Sequence, residues 1–317
     1  MNSRRSGDWA VAKPASDLTA ADFPVSEADM AHIGETLIRY FVHNQPRVSH
    51  PSVVFIGGQP GSGKSMLVEH YRRALGGAVV VDSDVVRQLH PAILDIAEAA
   101  PLRFDVLTNG PVGDWCNRII ESARHRRCNV IIENTFANPA TVLGEAQRFA
   151  EAGYMVGFLC LAVPSSVSRL GIVNRFRQAA RVGGSMPRWT TETSHSAALT
   201  GLNASVQQFV GAQLGGVVVT DRNLAHRHRI TQACDVADTL QEVRDAFFAE
   251  LQSVQQWQES YGACVTFLLD RGLVTNYTAR LLYNLAWDAE ALRPLGLHLP
   301  GCHTEFRHRV SQALRES

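Results

Sequence analysis

A glycine-rich loop with one lysine is the clearest chemical signal in this sequence. The loop reads GQPGSGKS, follows the apolar run VVFI and precedes MLVEHYRRAL, which has the composition of a helix. Glycine lets successive backbone N–H groups point inward, and these donors and the positive end of the following helix form a cradle for an anion. The pattern predicts a site for the phosphates of a nucleoside triphosphate. Its residues are Gly58, Gln59, Pro60, Gly61, Ser62, Gly63, Lys64 and Ser65.

Two residues of this loop have expected roles of their own. Lys64 would reach the β- and γ-phosphates, and the Ser65 hydroxyl would ligate Mg²⁺. A glycine-rich turn with a chance lysine is the alternative, and the order of strand, loop and helix argues against it. The loop does not indicate which group accepts the phosphate.

Acidic residues follow two other predicted strands. Asp82 and Asp84 come after AVVV and would share a face if the chain stays extended there. One carboxylate could then approach Mg²⁺ while the other accepts a proton from a hydroxyl acceptor. A turn that uses Asp only for its side-chain hydrogen bonds is the alternative. Glu133 follows NVII, and Thr135 comes two residues later. The alternative to a functional role for Glu133 is that it is a carboxylate that only marks the end of a strand.

The segment SRLGIVNRFRQAARVGGSMPRW is rich in arginine. Most exposed arginines on a helix only face solvent, and that remains the alternative for each of these. Phosphoryl transfer nevertheless needs cations on the transferring group, where one arginine can raise the rate by about 10³–10⁵. A helix and loop of this kind after the fourth strand would make a natural lid. The arginines are Arg169, Arg175, Arg177, Arg181 and Arg188.

Composition excludes several classes of protein. Lys+Arg and Asp+Glu are both 30, so the chain has no net charge that would favour binding to nucleic acid or to an anionic membrane. The start lacks an apolar signal core, and the longest apolar run, 155–163, is about half a membrane span. Six scattered cysteines without C-x-x-C spacing favour buried free thiols in a reducing compartment. We therefore expect a cytoplasmic protein that binds neither nucleic acid nor membrane.

Five apolar runs separated by helical segments predict the sheet that positions these residues. Strands that are apolar on both faces and alternate with helices form a parallel, doubly wound sheet. Chemistry in such sheets gathers outside the carboxyl ends of the strands, where the loop and the acidic residues fall. The predicted strands are 53–56, 78–81, 130–132, 155–163 and 215–220, and the predicted helices begin near 26, 113, 139 and 164.

Other readings of the loop have less support. No N-K-x-D or D-x-x-G motif occurs, which argues against a GTPase, and no strand ends in the paired Asp-Glu of many mechanical ATPases. A metal cluster could be drawn from four residues near the end of the chain, but their spacing matches no standard zinc pattern. They are His298, Cys302, His303 and His308.

Together the blocks GGQPGSGKS, VVVDSDVVRQLHP, NVIIENTF, CLAVPSSVSRLGIVNRF and MPRWTTETSH resemble the zeta toxins. These are P-loop kinases of toxin–antitoxin systems that phosphorylate UDP-N-acetylglucosamine on the sugar 3′-hydroxyl. The resemblance covers roughly residues 30–225. It implies an α/β, P-loop kinase-like fold with helical N-terminal and C-terminal extensions, ATP and Mg²⁺ as cofactors, and an antitoxin as a possible partner.

The resemblance also implies roles for individual residues. Lys64 and the loop would hold ATP, and Asp84 would be the general base. The charge-stabilising arginines would be Arg175 and Arg188, and His195 matches a recurrent family position. Glu133 and Thr135 would contact the sugar nucleotide, and Asp82, to which the resemblance gives no definite role, is placed with them as a candidate substrate-binding residue.

Three positions depart from the family pattern near the expected substrate pocket. Many members have Gly after the strand-end Glu and Arg two residues past the Thr, where this chain has Asn134 and Ala137. An often acidic helix position becomes Asn117. The acceptor is therefore less determined than the chemistry. Alternatives are a kinase of another hydroxyl (a nucleotide, a small metabolite or a nucleic-acid 5′ end) and an ATP-dependent binding module.

We expect three regions along the chain. Residues 1–25 are polar and rich in Pro, Ser and Ala, so we predict a flexible tail. Residues 26–230 would form the kinase domain. Residues 231–317 read as helical only, and no Gly/Ser/Pro linker precedes them, so we expect these helices to pack on the core.

Overall fold

A single six-stranded sheet organises the chain in the structure, a computed structural model that describes residues 17–182, 188–222, 224 and 227–316. The spatial order is β2-β3-β1-β4-β5-β6, and β1 to β5 are parallel. The predicted P-loop kinase-like, doubly wound sheet is therefore confirmed. The strands are β1 Ser52–Gly57, β2 Val79–Asp82, β3 Val130–Asn134, β4 Met155–Leu161, β5 Gly216–Thr220 and β6 Arg227–Ile230.

The sequence analysis missed β6, which pairs antiparallel with β5 at the edge of the sheet. Its sequence is RHRI, and only Ile230 is buried. A strand with three basic residues lacks the apolar run by which the other strands were recognised.

Twelve α-helices occur in the described part of the chain. Those predicted near residues 26, 139 and 164 are present, and the Ser26 side chain accepts a hydrogen bond from the Asp29 N–H as an N-cap. The helices are α1 Glu27–Ile38, α2 Lys64–Ala74, α3 Ser83–Arg87, α4 Ile93–Ala99, α5 Phe104–Arg126, α6 Pro139–Glu151, α7 Ser165–Val182, α8 Glu192–Gly211, α9 Val236–Asp245, α10 Leu251–Asp270, α11 Asn276–Ala291 and α12 His303–Arg315.

One helix is much longer than predicted. We expected α5 to begin near Gly113, but it begins at Phe104 and contains Pro111. The segment TNGPVG has the residues of a turn, yet the helix continues through it because flanking side chains such as Leu107 and Trp115 are buried in the protein core.

The two faces of the sheet support separate apolar clusters. Phe55 of β1 packs with Phe158 and Phe209 on one face, while its neighbour Ile56 points to the other. The second cluster joins Ile56 to residues of α10 and α11, including Trp257. Helices near the end of the chain thus cover one face of the sheet that carries the loop.

Residues 1–16 of the predicted tail lie outside the described residues, whereas Leu18 packs beside Ile96 and Phe104. All six cysteines are free: Cys128, Cys160 and Cys264 are buried, Cys116 and Cys302 are partly buried, and Cys234 is exposed. Over the described ranges, no helix is long and apolar enough to cross a membrane.

Candidate active site

The glycine-rich loop connects the central strand β1 to α2. Gly63 adopts a φ of 98° and Gly61 a φ of 78°, a left-handed region that favours glycine. A Cβ atom on Gly61 would lie 2.2 Å from the Ser168 carbonyl oxygen on α7. Glycine is required at Gly61 both for its backbone conformation and because α7 lies against the loop.

Lys64 is the first residue of α2, and its side chain is buried. Its ammonium donates hydrogen bonds to the carbonyl oxygens of Gly58, at 2.8 Å, and Gln59, at 3.3 Å. Burial lowers the pKa of Lys64 to about 8, and the nearby Glu133 charge acts in the opposite direction. The lysine is therefore held across the mouth of the loop, and a bound anion would raise its pKa again. Ser65 follows at the exposed start of the helix.

Side chains from distant parts of the chain fix the loop. Arg222, just after β5, donates to the carbonyl oxygens of Ser62 at 2.6 Å and Gly61 at 2.9 Å. The Gln59 side chain points into the protein and donates to the carbonyl oxygen of Val163 at 2.8 Å. Gln59 can therefore face a loop-bound ligand with its backbone only.

The expected face shared by Asp82 and Asp84 does not form. β2 ends at Asp82 and α3 begins at the next residue, so the chain is not extended between the two carboxylates. The Asp82 side chain caps α3 and accepts a hydrogen bond from the Asp84 N–H at 2.8 Å. Asp82 thus has the turn role that was the simpler alternative, and its capping bond fixes the start of α3, which carries Asp84.

Two of the predicted arginines meet the Asp84 carboxylate. Arg188 forms a hydrogen-bonded ion pair with Asp84, and the Arg175 guanidinium lies 3.8 Å from its other oxygen. Burial acts to raise the pKa of Asp84, but the Arg188 and Arg175 charges outweigh it and hold that pKa below its usual value. Asp84 is therefore ionised at neutral pH.

Glu133 occupies the carboxyl end of β3, between the loop strand and β2. It lies opposite Asp82 in the strand register, and its side chain is partly buried. Burial raises the pKa of Glu133 to about 7, although the Lys64 charge works against this. Glu133 is thus a second carboxylate that could exchange a proton near neutral pH.

The chain leaves β3 after Asn134 and takes an unusual backbone conformation at Phe136. Thr135 is partly buried, and Phe136 has a φ of 50°, a left-handed conformation that is rare for an aromatic residue. The Phe136 ring lies 5.8 Å from that of Phe55, and its carbonyl oxygen accepts a hydrogen bond from Ser205. Core packing therefore stabilises a strained turn that sets the direction of Thr135.

The three family departures have different positions. The side chain of Asn134 is exposed and accepts a hydrogen bond from the Thr135 N–H at 2.7 Å. Ala137 is exposed, with its carbonyl against Gly201 of α8. Asn117 is exposed on α5. Of the three, Asn134 lies between Glu133 and Thr135 in sequence and Ala137 lies two residues past Thr135, whereas Asn117 is distant from both.

The structure adds residues that the sequence did not single out. Asp105 lies 4.0 Å from the Arg188 Nε, and its carbonyl oxygen accepts a hydrogen bond from Arg87. Arg87 also contacts Thr108. Asp105 thus places a second carboxylate near Arg188, and because Asp105 and Arg87 are remote along the chain from Arg188 no spacing pattern could have indicated them.

A buried polar network continues from the loop into α8 and α11. Gln59 Nε2 lies 3.3 Å from Ser168 Oγ, which hydrogen-bonds the His195 ring at 2.8 Å. Burial lowers the pKa of His195 to about 4, so the ring is neutral at pH 7. The resemblance pointed to His195, and the structure shows it at the centre of a network under the loop.

Arg169 extends this network on α7. It forms two bidentate ion pairs, with Glu192 of α8 at 2.8 Å and with Asp288 of α11 at 2.9 Å. Arg169 is therefore a structural residue, whereas Arg175 and Arg188 belong to the candidate site. Arg177 donates to Asn174 on its own helix.

Within the described ranges, no group of three or more His, Cys, Asp or Glu side chains is placed to hold a metal ion. His303 of the C-terminal set hydrogen-bonds Tyr261 at 2.7 Å and Glu290 at 3.1 Å. A magnesium ion on the Ser65 hydroxyl would not need such a group, because Mg²⁺ keeps several waters and binds substrate phosphates.

A family model described as Zeta toxin matches residues 39–231. One curated relative, Toxin zeta of Enterococcus hirae, is 26% identical over 171 residues. That match covers 52% of this chain and 58% of the relative, so the chain spans less than two thirds of that protein's length.

Two solved structures share the fold. The first is titled as the PezAT chromosomal toxin–antitoxin system of Streptococcus pneumoniae; its TM-score is 0.65 at 17% identity, over 76% of this chain and 98% of that chain. The second is titled as the AvrRxo1-ORF1:-ORF2 complex, with a TM-score of 0.51 at 10% identity, over 75% of this chain and 86% of that chain.

Proposed function

Because the chain belongs to the zeta toxin family, we propose that it is a kinase that transfers the γ-phosphate of ATP to a hydroxyl group. The observation that carries this proposal is the Asp84 carboxylate, bound by Arg188 and approached by Arg175 beside the loop lysine. A base, two cations and a phosphate cradle are the parts that phosphoryl transfer needs.

Triphosphate fits the chemistry of this site. The Nε atoms of Arg175 and Arg188 and the Oγ of Ser62 are buried without a hydrogen-bond partner among the described residues. Buried polar atoms of this kind normally have partners, and phosphate oxygens would supply acceptors for both arginines. Ser65 would hold Mg²⁺, which neutralises charge on the phosphates.

Arg175 and Arg188 would have different partners in two states of the site, Asp84 without ATP and the γ-phosphate with ATP bound. They are close to Asp84 in the structure, which keeps its pKa low and makes it a weak base. Turning toward the γ-phosphate would remove their charge from Asp84, and the pKa of Asp84 would rise as burial then dominates. Asp84 could then accept the proton of an acceptor hydroxyl while Arg175 and Arg188 stabilise the transferring group.

We propose that the acceptor is the sugar 3′-hydroxyl of UDP-N-acetylglucosamine or a similar UDP-amino sugar. The support is the family membership and the position of Glu133 and Thr135 at the carboxyl end of β3. Asp82 would act indirectly, by orienting Asp84. Another hydroxyl acceptor is the alternative, favoured by the departures at Asn134 and Ala137.

We further propose a protein antitoxin as partner, since PezAT is by its title a toxin–antitoxin system. Residues 26–230 would form the kinase domain, with 231–317 packed on it. A stable proteolytic fragment of residues 240–317 would contradict this packing.

One experiment separates the candidate functions. ATP turnover is measured with and without UDP-N-acetylglucosamine, and the product is identified by mass spectrometry. A phosphorylated sugar nucleotide supports the proposal, and turnover without that product indicates another acceptor. ATP binding without any turnover, over a panel of hydroxyl acceptors, favours an ATP-dependent binding module.

A further inference from the structure

A groove of about 630 Å³ runs along α12 near the end of the chain. The segment between α11 and α12 forms its opposite wall, and none of its lining residues belongs to the proposed active site. On α12 the lining residues recur every three or four positions, so they form one face of the helix. They are Thr304, Arg307, His308, Ser311 and Arg315.

The lining of this groove carries excess positive charge. Arg293, Arg307 and Arg315 line it together with one carboxylate, that of Glu290. One Glu290 oxygen accepts a hydrogen bond from Arg307 at 2.9 Å and lies 3.1 Å from His303 Nε2, and the other accepts from Arg293 at 3.3 Å. Each guanidinium has five N–H donors, so this one carboxylate leaves most of the arginine donors in the groove available to a ligand.

Two exposed aromatic side chains extend the same surface onto α11. Tyr283 and Trp287 are 37% and 50% exposed, and their rings lie 6.2 Å apart, edge to face. The Arg307 guanidinium lies 5.2 Å from the centre of the Trp287 ring, so Arg307 joins the aromatic pair to the groove. Trp, Tyr and Arg are the residue types that most often dominate the binding energy of protein–protein interfaces.

We propose that this surface binds an acidic segment of another protein, in which several carboxylates flank an apolar side chain. The carboxylates would pair with Arg293, Arg307 and Arg315, and the apolar side chain would pack on the Trp287 ring. Arg307 and Arg315 are eight residues apart, or about 12 Å along the helix, so their charges suit an extended chain better than a single phosphate group.

A protein segment fits this surface better than a nucleic acid does. Nucleic-acid sites carry strong positive charge, whereas here Glu290 is part of the groove and the chain has no net charge. The proposal does not depend on the proposed kinase activity. Its residues all lie outside the family-matched range 39–231, so the surface belongs to the part of this chain beyond the family model.

The test measures binding of a fluorescein-labelled, glutamate-rich peptide with one central leucine to the full chain, by fluorescence anisotropy at low ionic strength. The double variant Arg293→Ala/Arg315→Ala changes two exposed side chains and should fold normally. It should weaken peptide binding about three- to tenfold. Trp287→Ala should weaken it about fivefold or more. Arg309→Ala is the matched control, because Arg309 is an exposed arginine of α12 that does not line the groove, and its effect should stay within about twofold.

Several results would overturn the proposal. One is wild-type protein that does not bind the acidic peptide, or that binds equally well a version with glutamine in place of every glutamate. Unchanged affinity in the double variant, or an equal loss in Arg309→Ala, would mean that the peptide does not bind in the groove. Tighter binding of oligo(dT) or inorganic tripolyphosphate, with the same dependence on Arg293 and Arg315, would show instead that the groove binds a phosphate ligand.

Discussion

Replacing Asp84 by Asn tests the proposed mechanism most directly. The amide is nearly the same size, and its oxygen can still accept a hydrogen bond from Arg188, but it cannot accept a proton. The Asp84 side chain is 39% exposed and the amide can keep the hydrogen bond to Arg188, so the loss of one charge should not unfold the protein. Asp84→Asn should therefore remain folded.

The rate of transfer should fall far more than stability. A positioned carboxylate base typically contributes about 10²–10⁴ to the rate, which is about 3–5 kcal/mol of activation free energy. ATP affinity should stay about the same, because the loop and Lys64 rather than Asp84 would hold the phosphates. The substitution should thus lower turnover and leave nucleotide binding intact.

The assay is single-turnover phosphoryl transfer from ATP, followed over a pH series, with ATP affinity measured separately. Near-normal transfer by Asp84→Asn to any acceptor would refute the general-base assignment. Glu133, with a pKa raised to about 7, would then be the next candidate. In that case the wild-type rate should rise around pH 7, and Glu133→Gln should abolish that rise.

Four other outcomes are expected. Lys64→Ala should abolish ATP binding, measured by calorimetry, because it removes the main cation facing the phosphates. Arg175→Ala and Arg188→Ala should lower kcat by about 10³ or more, measured by steady-state kinetics, with little change in ATP affinity. Glu133→Gln should raise the unfolding free energy by up to about 3 kcal/mol at pH 8 and hardly at pH 4, measured by urea denaturation. Arg169→Ala should lower the unfolding free energy by about 3–5 kcal/mol, because it leaves two buried carboxylates unpaired.

Each of these four predictions would be contradicted by a specific result. Unchanged ATP affinity in Lys64→Ala would refute the assignment of the loop as a phosphate cradle. Unchanged kcat in both arginine variants would mean that Arg175 and Arg188 only face solvent. The sign for Glu133 follows from its raised pKa: the folded state keeps its proton between pH 4.5 and 7 while the unfolded state loses it, so stability falls as pH rises. The exposed pair Arg309–Glu305 is the control for Arg169, and Arg309→Ala should cost less than about 1 kcal/mol.

Local sequence was enough to predict the parts of the site that depend on strand ends. The loop, Asp84 and Glu133 each follow an apolar run, and parallel strands bring their carboxyl ends to one edge of the sheet. Arg175 and Arg188 were harder to place, because a helix presents arginines in every direction. The resemblance to a known family selected these two, and the structure brings both to Asp84.

What could not be predicted depends on contacts between distant segments. Arg222 is separated from the loop carbonyls it bonds by about half the chain, and no local pattern marks it. The inward orientation of Gln59 follows from the packing of α7 on the loop. The shared face of Asp82 and Asp84 was expected only for an extended chain, and the chain is not extended there because the Asp82 side chain caps a helix as soon as the strand ends.

The edge strand β6 has a consequence for how molecules of this protein meet. The outer strand of a sheet offers unpaired backbone groups that another strand could bind. Here that strand carries Arg227, His228 and Arg229, and both arginines are exposed. Two copies approaching edge to edge would bring like charges together before their backbones could pair. The basic residues that make this strand hard to recognise in the sequence therefore disfavour pairing of β6 with the β6 strand of a second molecule.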